Sequence, residues 1–119
     1  MQQTVTVDNK PGVNSIIGVD SLAKAAPEGS TFAVVIAAFT ANTTLQSKLP
    51  YDAKKDLTGV ALMGVLPLLA AVNVDAPFKN AKQLVDYARA NLGKVSFCLA
   101  GNGSASHLTS ELFKLLTKA

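Results

Sequence analysis

Two spacings of apolar residues alternate along the chain. The first consists of continuous or alternating apolar and β-branched residues, with the length and composition of strands. It occupies residues 5–7, 31–38, 58–66, 68–74 and 95–99. The second places apolar residues three or four positions apart, as amphipathic helices do, and begins at Ile16, Ala81 and Ser106. Strands that alternate with helices predict an α/β fold with a mostly parallel sheet flanked by helices.

Turn and capping residues separate these segments. Pro27 and Gly29 stop the first predicted helix, and Asn80 is a predicted N-cap for the second. Pro67 divides the most hydrophobic stretch into two predicted strands, because proline cannot donate to a sheet ladder. The polar segment 39–57 is predicted to be irregular, with a short helix near 43–47.

The segment 100–108 carries the strongest functional signal. It joins the predicted strand 95–99 to the predicted helix 106–118 through two glycines and two serines. The start of a helix presents unpaired N–H groups and the positive end of the helix dipole, which together favour an anion. The same turn is also what an ordinary strand-to-helix connection requires. The predicted anion-binding residues here are Gly101, Asn102, Gly103, Ser104 and Ser106.

A second candidate segment comprises Thr40, Ala41 and Asn42, which follow the predicted strand 31–38. Ligands of open α/β sheets bind at the carboxyl ends of the strands, so these residues are predicted to contribute to the same site. The alternative is that these residues form only a polar connecting loop.

His107 raises the question of enzymatic chemistry, because Ser104 and Ser106 lie close by in the sequence. The segment lacks the Gly-x-Ser-x-Gly pattern of a nucleophile elbow, and His107 is predicted to pair with Glu111 on the polar face of its helix. Gly-x-Gly after a strand also suggests dinucleotide binding, but Ser106 stands where the third glycine belongs. We therefore predict no catalytic residue, no cofactor and no metal site, since one His and one Cys cannot hold a metal.

Composition narrows the functional classes of protein that remain. The chain has 119 residues, 49% of them hydrophobic, and a formal charge of +3 from scattered basic residues. Nucleic-acid binders of this size usually carry a denser basic stripe, so no nucleic-acid partner is predicted. The single Cys98 permits no internal disulfide. The apolar stretch 60–74 is too short and too interrupted to span a membrane, and no export signal is evident at the N-terminus.

Four stretches of the sequence resemble one known family in the expected order. They are Val-Asp-Asn-Lys-Pro-Gly at 7–12, Ala-Lys-Ala-Ala-Pro-Glu-Gly at 23–29, Lys-Leu-Pro-Tyr-Asp at 48–52, and Ala-Gly-Asn-Gly-Ser through Ser-His-Leu to Glu-Leu-Phe at 100–113. The family is that of substrate-binding receptors of tripartite tricarboxylate transporters, which have the type II periplasmic binding protein fold. Two positions depart from its pattern: Val13-Asn14-Ser15 replaces a glycine-rich turn, and Ser30 replaces an aromatic residue.

The resemblance implies a periplasmic, non-enzymatic receptor that captures a small carboxylate and delivers it to membrane permease subunits. It also implies that the chain is an interior fragment of the fold, with residues 1–74 in the first lobe and 75–119 at the start of the second. A fragment of that kind is expected to self-associate. The alternative function from the residues alone is a nucleotide- or dinucleotide-binding α/β enzyme fragment.

Overall fold

The structure, a computed structural model, describes residues 4–119. It contains a 3₁₀ turn and four helices, which are α1, α2, α3 and α4 in chain order. Their bounds are Val13–Ser15 for the 3₁₀ turn, Ile16–Ala23 for α1, Ala38–Leu45 for α2, Ala81–Ala90 for α3 and Ala105–Thr117 for α4. Residues 1–3, on which the prediction of no export signal partly rests, lie outside the described part of the chain.

The predicted sheet is wrong. Residues 4–119 contain no strand, so the described part of the chain does not form an α/β fold with a mostly parallel sheet. The apolar runs are present but unpaired: outside the helices, every backbone–backbone hydrogen bond of the described residues joins positions no more than four apart. A strand is stabilised by backbone hydrogen bonds to a neighbouring strand, and the runs within residues 4–119 have none. Val60 and Leu69 are accordingly 92% and 90% exposed.

Helix α3 begins as the sequence predicts. The Asn80 side chain accepts a hydrogen bond from the Gln83 N–H at 2.9 Å, and the Gln83 side chain accepts one from the Lys79 N–H at 2.7 Å. The first of these bonds satisfies an N–H group that the first helical turn leaves unpaired, and the second pairs the N–H of the residue before the cap. The helix ends at Ala90 with Asn91 as its C-cap, and Gly93 follows with a φ of 76°.

The described chain divides into two compact units, of which the first extends to Ala61 and the second comprises Leu62–Ala119. In the first unit, Val19 of α1 and Ala38 of α2 are fully or almost fully buried. In the second unit, the Arg89 guanidinium at the end of α3 donates to the Thr117 carbonyl at the end of α4. The assignment of 1–74 and 75–119 to two lobes of a receptor stays a prediction.

Within the described residues, no helix is both long enough and apolar enough to cross a membrane.

Candidate functional site

The turn before α4 is built by two glycines in conformations that other residues rarely adopt. Gly101 has a φ of 144° and Gly103 a φ of 77°, and the Ser104 N–H donates to the Gly101 carbonyl at 3.1 Å. A Cβ would strain the backbone at either glycine. Ser104 then has an extended conformation and caps α4, accepting from the His107 N–H through Oγ at 3.2 Å. The sequence order Gly-x-Gly-Ser therefore determines both the turn and the helix start.

Part of the hydrogen-bonding capacity of this turn is used internally. The Gly103 N–H donates to Nδ1 of His107 at 3.1 Å, and the Ala100 N–H donates to Oγ of Ser106 at 3.3 Å. The Oγ atoms of Ser104 and Ser106 are 3.0 Å apart and share a hydrogen bond. These contacts hold the turn against the first turn of α4, and they remove the Gly103 N–H from the donors available to a ligand.

Four other backbone N–H groups at this point donate to no other described residue. They belong to Gly101, Asn102, Ala105 and Ser106. The first turn of α4 contains no acidic side chain that would compete for them. Unpaired N–H groups at the positive end of a helix dipole attract an anion. The geometry thus provides main-chain donors for a carboxylate or phosphate.

The second predicted segment lies in helix α2, and the prediction of an irregular loop there is wrong. The Thr40 hydroxyl donates to the Ala37 carbonyl at 2.9 Å, so the helix uses it locally. Asn42 is 1% exposed, and its Nδ2 donates to the Asn14 carbonyl at 2.9 Å while its Oδ1 accepts from Asn14 Nδ2 at 3.3 Å. Ala41 is half-buried beside it. The structure thus gathers the five turn residues together, whereas these three lie on α2 in the other unit.

The 3₁₀ turn that Asn42 contacts has a positive φ at each of its residues, and so does Gly12 before it. Gly12, Val13, Asn14 and Ser15 have φ values of 127°, 42°, 52° and 73°. Asparagine adopts this conformation more readily than most residues, whereas a β-branched valine is strained there. Sequence reasoning noted that this segment departs from a glycine-rich pattern but did not detect its contact with Asn42, which is 28 positions away.

His107 differs from its predicted role. Its Nε2 lies 4.0 Å from Glu111 Oε1, at the limit of an ion pair, whereas Nδ1 accepts the Gly103 N–H. The predicted placement of the imidazole on the outer polar face is therefore incomplete, because its second nitrogen faces the turn. A signal existed in the sequence: His107 is three positions after the capping Ser104, where capping boxes place a side chain that reaches back. Neither serine Oγ contacts the imidazole within the described chain, so the arrangement provides no nucleophile–base pair.

A family model described as the tripartite tricarboxylate transporter family receptor matches residues 1–117. The chain belongs to this receptor family. The resemblance seen in the four sequence stretches is thereby confirmed.

Curated relatives agree with this assignment. The chain is 37% identical over 110 residues to a UPF0065 protein from the tcbD–tcbE intergenic region of Pseudomonas sp., covering 92% of this chain and 33% of that protein. It is 34% identical over 119 residues to Protein BugT of Bordetella pertussis, covering 98% of this chain and 36% of that protein. A UPF0065 protein of Cupriavidus necator is 31% identical over 109 residues, which cover 92% of this chain and 33% of that protein. This receptor-family chain thus spans about a third of the length of these relatives. No solved structure matches it significantly.

Proposed function

We propose that the chain is part of a periplasmic solute-binding receptor that captures a small carboxylate for a tripartite tricarboxylate-type transporter. The family match over residues 1–117 is the observation that carries this proposal. The receptor binds its solute without changing it chemically and delivers it to the membrane permease subunits of the transporter.

The turn before α4 is the proposed carboxylate site. Its free N–H groups, and the one hydroxyl hydrogen that the bond between Ser104 and Ser106 leaves free, suit an anion, and main-chain donors suit carboxylates of different shapes. Thr40 and Ala41 stay a proposed second contribution from α2. Asn42 stays part of this proposed contribution, although both polar atoms of its amide already bond Asn14.

Ligand-induced thermal stabilisation tests the proposal. Citrate, succinate, glutamate and nicotinate are compared with ATP and NAD, and calorimetry measures the affinity of any acid that raises the melting temperature. We expect at least one of the acids to stabilise the chain. Stabilisation by ATP or NAD alone would contradict the proposal and favour a nucleotide-binding enzyme.

Two glycine variants locate the site. Gly103→Val should abolish carboxylate binding, because Gly103 is buried and its φ of 77° disfavours a β-branched side chain. Gly59→Val is the matched control, since a Cβ at Gly59 meets no atom within 4 Å. Equal binding by both variants would place the carboxylate elsewhere.

A further inference from the structure

The His107 side chain and main chain both contact the turn that we propose binds the carboxylate. Nδ1 accepts the Gly103 N–H at 3.1 Å, and the His107 N–H donates to Ser104 Oγ at 3.2 Å. The His107 side chain is 23% exposed. Gly103 itself is buried, which leaves its N–H dependent on this one acceptor among the described residues.

An Nδ1 that accepts a hydrogen bond defines the protonation state of the ring. A neutral imidazole has one acceptor nitrogen and one N–H, whereas a protonated imidazole donates from both nitrogens. His107 is therefore neutral in this arrangement, with its proton on Nε2 towards Glu111. Glu111 is itself paired with Lys114 at 2.5 Å, and residues 100–104 add no ionisable side chain.

We propose that His107 is a positioning residue for the carboxylate-binding turn: its neutral imidazole holds the Gly103 N–H through Nδ1 and thereby fixes the turn in the conformation that exposes the other donors. The expected effect on carboxylate binding rests on the proposed function, whereas the hydrogen bond between Gly103 and His107 does not. Protonation of Nδ1 replaces the acceptor with a second donor, so it breaks the contact with Gly103.

Nuclear magnetic resonance on the ¹⁵N-labelled full chain tests the contact directly. At neutral pH we expect a scalar coupling between the Gly103 amide nitrogen and His107 Nδ1, and a ring ¹⁵N spectrum with the proton on Nε2. A ring with its proton on Nδ1 at neutral pH would overturn the proposal.

Three variants separate positioning from general stability. His107→Asn keeps an acceptor at the place of Nδ1, whereas His107→Gln moves the amide towards the place of Nε2. We expect the Gly103 amide to exchange with solvent about tenfold faster in His107→Gln, as loss of one hydrogen bond implies, and near the wild-type rate in His107→Asn. Glu111→Gln removes the neighbouring charge but keeps the His107 acceptor. It should therefore also leave the exchange rate of the Gly103 amide unchanged. Equal Gly103 exchange in the wild type and His107→Gln would overturn the contact.

Citrate titration of the same variants tests the effect on binding. His107→Gln should bind citrate at least several-fold more weakly than the wild type, and His107→Asn should restore most of the affinity. Wild-type affinity in His107→Gln, with Gly103 exchange accelerated, would overturn the positioning role. Failure of the wild type to bind any of the acids would instead count against the proposed function, while the Gly103 measurements still decide the contact.

Discussion

The Tyr51 side chain is buried with its hydroxyl unpaired. It is 7% exposed, and neither its hydroxyl nor Asp20 Oδ1 has a hydrogen-bond partner among the described residues. The other Asp20 oxygen is held by Lys24 at 2.7 Å. Burial raises the pKa of Tyr51, and the nearby Asp20 carboxylate raises it further, because both disfavour a phenolate. The phenol is therefore retained in the neutral form at the cost of an unsatisfied donor.

Tyr51→Phe should leave the free energy of unfolding unchanged or raise it by up to about 1 kcal/mol, since it removes a hydroxyl that bonds nothing. The raised pKa of Tyr51 determines how the free energy of unfolding changes at alkaline pH. Below the usual pKa of tyrosine the phenol is neutral in both the folded and the unfolded state, and the free energy of unfolding then falls as the pH rises from there through the raised folded-state value. Urea titrations of both proteins at neutral and alkaline pH measure the difference.

Tyr87→Phe is the control for this substitution, because the Tyr87 ring packs against Phe78 at 5.3 Å in a half-buried position. A Tyr51→Phe variant that is destabilised by well over 1 kcal/mol would mean that the hydroxyl does have a partner.

Among single residues, those with local roles could be predicted. The Asn80 cap, and the glycines at 101 and 103, act on neighbours within a few positions, and sequence reasoning identified them. The buried role of Asn42 could not be predicted, because its partner is brought close only by the fold. For the candidate site, the sequence thus indicated which residues form the turn but not which N–H groups the turn itself uses.

At the level of elements, the turn at 52–56 is held together by two carboxylates. Asp52 Oδ1 accepts the Lys54 and Lys55 N–H groups at 2.9 and 3.2 Å, and Asp56 Oδ2 accepts the Asp52 N–H at 2.7 Å. The Lys54 N–H is the main cause of the lowered pKa of Asp52, and the Lys55 side chain and N–H add to it. The ionised carboxylate therefore organises the turn.

Acid should loosen this turn. Because the folded-state pKa of Asp52 is lowered, its stabilisation is present above the usual pKa of aspartate and is lost as the pH falls through the lowered value. We expect the Lys54 and Asp56 amide resonances to move towards random-coil positions over that acidic range. Amide chemical shifts recorded along a pH titration give the measurement.

The turn at 73–76 is an internal control for this titration. There an amide side chain replaces the carboxylate: Asn73 Oδ1 accepts the Asp75 N–H at 2.9 Å, and the Ala76 N–H donates to the Asn73 carbonyl at 3.0 Å. The Ala76 resonance should move little. Parallel movement at both turns would indicate global acid unfolding and contradict a local role for Asp52.

Helices were predicted far better than strands, for a physical reason. The start predicted for α3, Ala81, matches the one observed, and the start predicted for α4 differs by one residue, because spacing and caps lie within the helix itself. Strand-like segments such as 95–99 have the required composition, but a strand also needs a partner, and composition does not supply one. Helix α2 was misplaced because its buried face centres on a polar residue, Asn42.

On the scale of the whole molecule, the chain exposes much of its apolar surface. Its accessible surface is 9783 Å², whereas a folded monomer of 12.3 kDa typically exposes about 6,100 Å². Large hydrophobic side chains are exposed along the run between residues 60 and 74, including Leu62 at 83% and Leu66 at 87%. Contiguous exposed apolar surface of this kind promotes association.

The isolated chain should therefore self-associate. Sedimentation velocity over a range of micromolar concentrations should show a sedimentation coefficient that rises with concentration. A Leu62→Lys, Leu66→Lys double variant should shift the distribution towards monomer, because it introduces charges into the exposed run. Lys substitutions at Thr43 and Thr44, both already exposed in α2, control for the added charge. A monodisperse wild-type monomer would contradict the expectation.

The contact between Asn14 and Asn42 also has a kinetic consequence. It closes a loop of 28 positions, which costs about 3 kcal/mol of chain entropy by the logarithmic dependence on loop length. The left-handed conformation at 13–15 is unfavourable on its own, and Asn42 can stabilise it only after that loop has closed. Helices α1 and α2 form from local contacts within microseconds, whereas the turn between Gly12 and α1 acquires its conformation only when the two helices meet. We therefore expect this turn to form after α1 and α2 during folding and to be released before them during unfolding.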